Sequence, residues 1–182
     1  MSESTKITQL ISQQTIQNRL KELAEEINAE FAEVTGEVVI LCILKGGAVF
    51  AADLIRHLNF PLILEFIELQ SYRGTNSSGR IDVVKCLSPQ FAGKNVLVVD
   101  DITDTGSTLQ YVQNLLSGKN LTKLKFCTFL DKPSRRAAEN VRPDFVGITI
   151  PDVFVVGYGL DYNQKYRNIP YIATIEQPIN GG

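Results

Sequence analysis

The chain has 182 residues, 44% of them apolar and 21% charged, enough to bury one full core and too ordinary for a disordered chain. Lys and Arg nearly cancel Asp and Glu at a net charge of −2, so the basic excess of a duplex-binding protein is missing. No apolar run reaches membrane-spanning length, and the polar start "MSESTKITQ" lacks a secretory core. A cytoplasmic protein with neither nucleic acid nor membrane as a partner is expected.

In chain order, "TIQNRLKELAEEINAEF" sets Ile16, Leu20, Leu23, Ile27 and Phe31 on one face of a helix. "VVILCIL", Val38 to Leu44, is a continuous apolar run, as expected of a strand covered on both faces. "KGGAVFAADLIRHL" turns on two glycines into a second helix. "PLILEFIEL" and "IDVVKCL" predict strands on either side of the polar segment "QSYRGTNSSGR". "NVLVVDD", "KLKFCTFL" and "FVGITI" predict three more, with a helix over "STLQYVQNLL" between the first two.

Alternating strands and helices imply an α/β fold with a mainly parallel sheet flanked by helices. The tail from Pro151 is different, with short strands and Gly, Asn and Pro turns, and it reads as a small hood over one sheet edge. We expect a single domain over residues 1–182, with a core of about 36–150 and a hood from about 1–15 and 151–182. Cys42, Cys86 and Cys127 lack C-x-x-C spacing and read as small buried hydrophobes, and the lone histidine, His57, as a surface residue near a helix end.

The chemistry concentrates in "VLVVDDITDTGSTL", Val96 to Leu109. Val96–Val99 delivers Asp100 and Asp101 to the carboxyl end of a strand, where they can meet solvent and where ligands of open α/β sheets bind. The turn that follows exposes backbone N–H groups and the hydroxyls of Thr105, Ser107 and Thr108, and Gly106 permits close backbone approach. A helix N-terminus with free amides suits a phosphate. Acceptors for sugar hydroxyls or Mg²⁺ beside donors for a phosphate suit a ribose 5-phosphate.

Other acidic motifs fit less well. Response-regulator receivers carry their acidic pocket near the start of the domain, and the D-D-x-x-D of prenyl-chain synthases lies within a long helix. Neither a P-loop nor a dinucleotide fingerprint is present. A plain helix cap needs one carboxylate, not three.

The stretch resembles the phosphoribosyl-diphosphate (PRPP) signature of type I phosphoribosyltransferases. "LKGGAVFAADL", "SYRGTNSSG", "DKPSRR" and "FVVGYGLDYNQKYRNIPYI" narrow the resemblance to the hypoxanthine (hypoxanthine-guanine) phosphoribosyltransferase branch, from about Val38 to Ile172. The resemblance implies transfer of the 5-phosphoribosyl group from PRPP to N9 of a 6-oxopurine, with release of pyrophosphate, through an oxocarbenium-like transition state. Catalysis of that kind rests on positioning and electrostatics.

It further implies that Asp100 and Asp101 take the ribose hydroxyls and that Asp104, Thr105, Gly106, Ser107 and Thr108 take the 5′-phosphate. Asp104 is implied as general acid/base near purine N7. Many relatives carry Glu where this chain has Asp100. Lys45 and Gly46 would bind pyrophosphate, at a non-proline cis peptide, and Arg167 would clamp it. Ser71 and Tyr72 would belong to a lid that excludes water. Lys132 would donate to purine O6, Phe154 would stack on the base, and Val155 would meet its edge. Asp161, beside the purine, would hold Mg²⁺ largely through water, with Asp100 and Asp101 as further metal residues.

Homodimers or homotetramers are usual in this family. Two alternatives share the fold: a nucleotide-sensing regulator, and a transferase for xanthine or a pyrimidine. Asp104, Lys132 and Asp161 speak against the first, and the "FVVGYGLDYN" tail against the second.

Overall fold

A computed structural model describes residues 6–71, 81–86, 91–138 and 141–175. In chain order its elements begin with β1 (Ile7–Ile11), α1 (Gln13–Phe31), β2 (Val38–Leu44) and α2 (Gly47–Leu54). Next come β3 (Leu62–Ser71), β4 (Ile81–Cys86), β5 (Asn95–Thr103) and α3 (Ser107–Leu116). The chain continues with β6 (Lys123–Asp131), β7 (Phe145–Thr149), β8 (Val155–Val156) and β9 (Ile172–Ile175).

The main sheet has the order β4-β3-β2-β5-β6-β7. Its last five strands are parallel, and β4 runs antiparallel to β3 at the edge. The apolar runs of the central strands are continuous because both of their faces are covered. Val38, Ile40 and Cys42 of β2 face the core formed with α1 and α2, as do Leu97 and Val99 of β5. Val39, Leu41 and Ile43, with Val96 and Val98, face the core formed with α3 through Leu109, Val112 and Leu116. Ser12 caps α1 by accepting from the Thr15 amide at 3.1 Å, and the helix buries Ile16, Leu20, Leu23, Ile27 and Phe31, the face read from the spacing.

The strand order places the site. From β2 the chain moves outward through α2 to β3, whereas from β5 it moves the other way through α3 to β6. Right-handed crossovers in opposite directions put α2 and α3 on opposite faces, so the loops after β2 and β5 diverge and leave a crevice between them.

A second, antiparallel sheet, β1-β9-β8, forms the hood, with Val156, Ala173 and Ile175 as its own small core. The hood is fastened to α2 by Tyr158, whose hydroxyl donates to Asp53 Oδ2 at 2.8 Å. The Tyr158 ring also packs on Phe129 of β6 at 5.0 Å between centroids.

His57 is exposed, in a short 3-10 turn after α2. Cys42 and Cys127 are buried, and burial, with Asp100 and Asp101 adding, pushes the Cys42 thiol up to about 12. That thiol is therefore not a nucleophile at neutral pH. The Cys86 side chain lies outside the described residues.

Candidate active site

Strand β5 does not stop at Val99. It runs through both aspartates to Thr103, and Asp100 is buried with only 5% of its surface exposed, while Asp101 is half-buried. The expectation that both would meet solvent is corrected for Asp100. The register explains the burial: Asp100 pairs with Thr128 of β6, so the strand ladder continues past the apolar run. The Asp101 amide donates to Asp100 Oδ1 at 3.0 Å, and the Ile102 amide to Asp101 Oδ1 at 2.9 Å. Burial, followed by the Asp101 charge, holds the Asp100 carboxyl well above the usual range. Burial raises Asp101 as well, opposed by its hydrogen bonds and by the charge of Arg167.

Beyond the strand, Asp104, Thr105 and Gly106 turn the chain into α3. Gly106 is the residue before the helix, at φ +84°, and offers no side-chain cap, while the Ser107 amide donates to Thr105 Oγ1 at 3.4 Å. The Thr105 and Ser107 hydroxyls share a hydrogen bond of 2.9 Å, and Thr108 is half-buried. Amides at a helix start, beside a glycine and two hydroxyls, have the donor chemistry that suits an anion.

The loop after β2 approaches from the other side of the crevice. The Leu44–Lys45 peptide is cis, Lys45 is exposed, and its Nζ lies 3.9 Å from Glu68 Oε1. A Cβ on Gly46 would fall on the Asp101 carboxylate, and a Cβ on Gly159 of the hood would fall on the Gly46 carbonyl. Arg167 joins this cluster: its Nη1 donates to the Gly159 carbonyl at 2.7 Å, and its Nη2 pairs with Asp161 Oδ1 at 2.7 Å. Asp161 Oδ2 accepts from the Gln164 amide at 2.8 Å.

Lys132 follows β6, and its amide donates to the Thr103 carbonyl at 3.0 Å. It is not a solvated loop lysine, being 6% exposed with its Nζ 4.0 Å from Asp152 Oδ1. Phe154 is the reverse. It is 46% exposed, not core, and its ring meets the edge of Tyr162 at 5.7 Å. Val155 is buried in β8, opposite Thr174. Ser71 ends β3, while Tyr72 and the segment after it lie outside the described residues.

Three residues not singled out above also belong here. Arg135 Nε donates to Asp104 Oδ1 at 3.0 Å, and Arg135 Nη1 lies 3.5 Å from Asp152 Oδ2. Arg136 pairs with Asp131. "DKPSRR" displayed both arginines, but nothing local indicated which turns outward; Asp152, in "IPDVF", carried no local signal. Among the described residues, the buried side-chain polar atoms with no partner are Thr103 Oγ1 and Arg136 Nη1, on either side of the acidic loop.

A cluster of three or more His, Cys, Asp or Glu that could hold a metal is absent among the described residues. Mg²⁺ does not need one, because it keeps several waters and takes one or two carboxylates with substrate phosphate oxygens. Asp161, with one oxygen on Arg167 and one on a backbone amide, fits contact through water. The Asp100–Asp101 pair supplies further carboxylate at the end of β5.

An acidic pair with Asp100 buried, a glycine-led helix start and a second loop facing it are the arrangement of a protein that handles a phosphorylated sugar. Residues 6–163 match the phosphoribosyl transferase domain. The hypoxanthine-guanine phosphoribosyltransferase of Bacillus subtilis is 40% identical over 171 residues, 93% of each chain. The solved hypoxanthine-guanine phosphoribosyltransferase of Bacillus anthracis, with HEPES in its active site, superposes with a TM-score of 0.85 at 40% identity, covering 94% of this chain and 100% of that one. The hypoxanthine phosphoribosyltransferase of Trypanosoma cruzi, in complex with the product IMP, gives 0.86 at 33% identity over 97% of each chain. This chain belongs to the phosphoribosyltransferases, and within them to the hypoxanthine-guanine family.

Proposed function

We propose that this chain transfers the 5-phosphoribosyl group of PRPP to N9 of hypoxanthine, and also of guanine, giving IMP or GMP and pyrophosphate in purine salvage. The observation that carries the reading is the meeting of four parts in one crevice: the Asp100–Asp101 pair, the open loop Asp104–Thr108, the Gly46 loop and buried Lys132.

In this reading Asp100 and Asp101 hold the ribose hydroxyls, and Asp104, Thr105, Gly106, Ser107 and Thr108 hold the 5′-phosphate. Lys45 and Gly46 bind pyrophosphate through backbone amides, and Arg167 clamps it. Lys132 has only donors to offer and meets O6 of the base. Phe154 supplies an exposed ring for stacking, and the backbone of Val155 meets the opposite edge. Asp104, the first residue of the loop, moves the N7 proton as positive charge develops at the sugar. Its Arg135 partner, exposed, orients the carboxylate at 3.0 Å until a base arrives.

Mg²⁺ would be held by Asp161 through water and by the Asp100–Asp101 side of the crevice with PRPP, and would offset the charge of the leaving pyrophosphate. Ser71 and Tyr72 are proposed as part of a lid. The 182 residues act as one domain with a core of about 36–150, in the cytoplasm, as a homodimer or homotetramer. No helix among the described residues is long and apolar enough to cross a membrane.

The test is a panel of four bases with PRPP and Mg²⁺. Hypoxanthine and guanine should be converted, xanthine weakly and adenine essentially not. Adenine places an amino group against the Lys132 ammonium, and sites built on one hydrogen bond reject the wrong partner by about 10⁴–10⁵ in kcat/KM. Efficient use of adenine would overturn the assignment, and binding of nucleotides with no turnover would favour a regulator.

A further inference from the structure

Two arginines follow Pro133, and they do different things. Arg135 turns outward to Asp104, whereas Arg136 turns inward. Its Nη2 donates to Asp131 Oδ1, and the two side chains keep 13% and 12% of their surface. Its other terminal nitrogen, Nη1, is buried and has no partner. Buried guanidinium donors are normally satisfied, so an open one beneath a binding loop calls for a reason.

The position of that nitrogen supplies it. A methyl group on Gly106 would lie 3.1 Å from Arg136 Cδ, 3.3 Å from Nη1 and 3.2 Å from Ala138 Cβ. The Arg136 side chain is thus packed against the one residue of the loop in the left-handed conformation. The next two residues are tied to the same loop, since the amides of Ala137 and Ala138 donate to the Thr105 carbonyl at 3.0 and 3.1 Å. On the far side, the Lys132 amide holds the Thr103 carbonyl at 3.0 Å. The segment from Lys132 to Ala138 therefore holds the acidic loop at Thr103 and Thr105, with the Arg136 side chain against Gly106.

We propose that Arg136, oriented by Asp131, is the positioning residue of the 5′-phosphate loop. It fixes Gly106 and the amides around it in the form that receives a phosphate dianion, and it sets a cation against that loop which Asp131 only partly engages. The proposal rests on the reading of Asp104–Thr108 as the phosphate cradle. It separates the two anionic ends of PRPP: the 5′-phosphate end depends on Arg136, and the pyrophosphate end, at Gly46 and Arg167, does not.

The test uses the full chain and direct calorimetric binding of two probes in Mg²⁺ buffer, ribose 5-phosphate and pyrophosphate. Removing Arg136 alone would strand a buried carboxylate, so the main variant is the neutral pair Asp131→Leu/Arg136→Met, which leaves no unpaired charge. Ribose 5-phosphate should bind about 10- to 100-fold more weakly, the loss expected for charge-assisted support, while pyrophosphate binding is unchanged. In the transferase assay, the KM for PRPP should rise with the KM for hypoxanthine unmoved, and Arg136→Lys should recover part of the loss. Unaltered ribose 5-phosphate binding in the double variant would overturn the proposal, as would equal weakening of both probes, which marks general loss of structure. If the unmodified chain failed to bind ribose 5-phosphate at all, the phosphate-loop reading itself would fall.

Discussion

The carboxylate of Asp101 occupies the space in which a side chain on Gly46 would stand. One residue lies near the carboxyl end of β5 and the other opens the loop after β2, so this contact sets how closely the two halves of the site approach. Gly46 has φ −61°, which any residue adopts, so alanine there tests space and not backbone strain. Gly46→Ala should displace Asp101 and lower kcat/KM for PRPP by about 100-fold or more, as expected for a misplacement of about 1 Å, with little change in melting temperature. Wild-type kinetics in this variant would mean that the two loops adjust freely.

Asp104→Asn keeps shape and hydrogen bonding while removing the proton acceptor. General acid/base groups contribute about 10²–10⁴-fold, so kcat should fall in that range with PRPP affinity much less affected. The Arg135 pair that is lost is open to solvent on both sides, so thermal stability should hardly move. An unchanged kcat would remove Asp104 from the mechanism.

Asp100→Asn should stabilise the protein while damaging it as a catalyst. Burial and the neighbouring Asp101 raise the Asp100 carboxyl in the folded state, so the fold binds that proton more tightly than the unfolded chain does. Stability therefore falls as pH rises from the ordinary carboxylate range up to the raised folded value, and the full penalty stays above it. A neutral amide escapes the penalty. The melting temperature of the variant should exceed wild type at neutral pH, by about 2–4 °C for each kcal/mol relieved, and the gap should close toward pH 4. A gap independent of pH would assign the effect to packing.

Lys132→Met separates recognition from folding. The ammonium is buried with one carboxylate, Asp152, at 4.0 Å, a distance that recovers little of the desolvation cost. Methionine should leave melting unchanged or raise it, yet lower kcat/KM for hypoxanthine by about 100-fold or more through loss of the O6 contact. A stable variant with full activity would free Lys132 from any role in base selection.

Residue spacing alone was enough to read the elements and to single out the acidic run at the end of β5. Periodicity is a local property, so the buried face of α1, the two-sided burial of β2 and β5 and the helix after Gly106 could be read from residue spacing. The acidic run was legible for the same reason, since three carboxylates within five positions need no partner to be noticed.

Only the tertiary structure decided which of these groups are dry and what they touch. Asp100 is buried because β5 and β6 stay in register beyond the apolar residues, a fact of pairing that neither strand carries alone. Lys132 is buried and the Phe154 ring exposed, the reverse of what a lysine and a phenylalanine ordinarily do, and no local pattern signals either fate. Gly46 meets Asp101 across 55 positions of sequence, and Gly159 meets Gly46 across more than a hundred, at distances set by sheet order. The outward Arg135 and the inward Arg136 are neighbours of the same type. Their fates diverge because Arg135 ends a 3-10 turn and Arg136 after it is extended, so one side chain reaches Asp104 and solvent and the other Asp131.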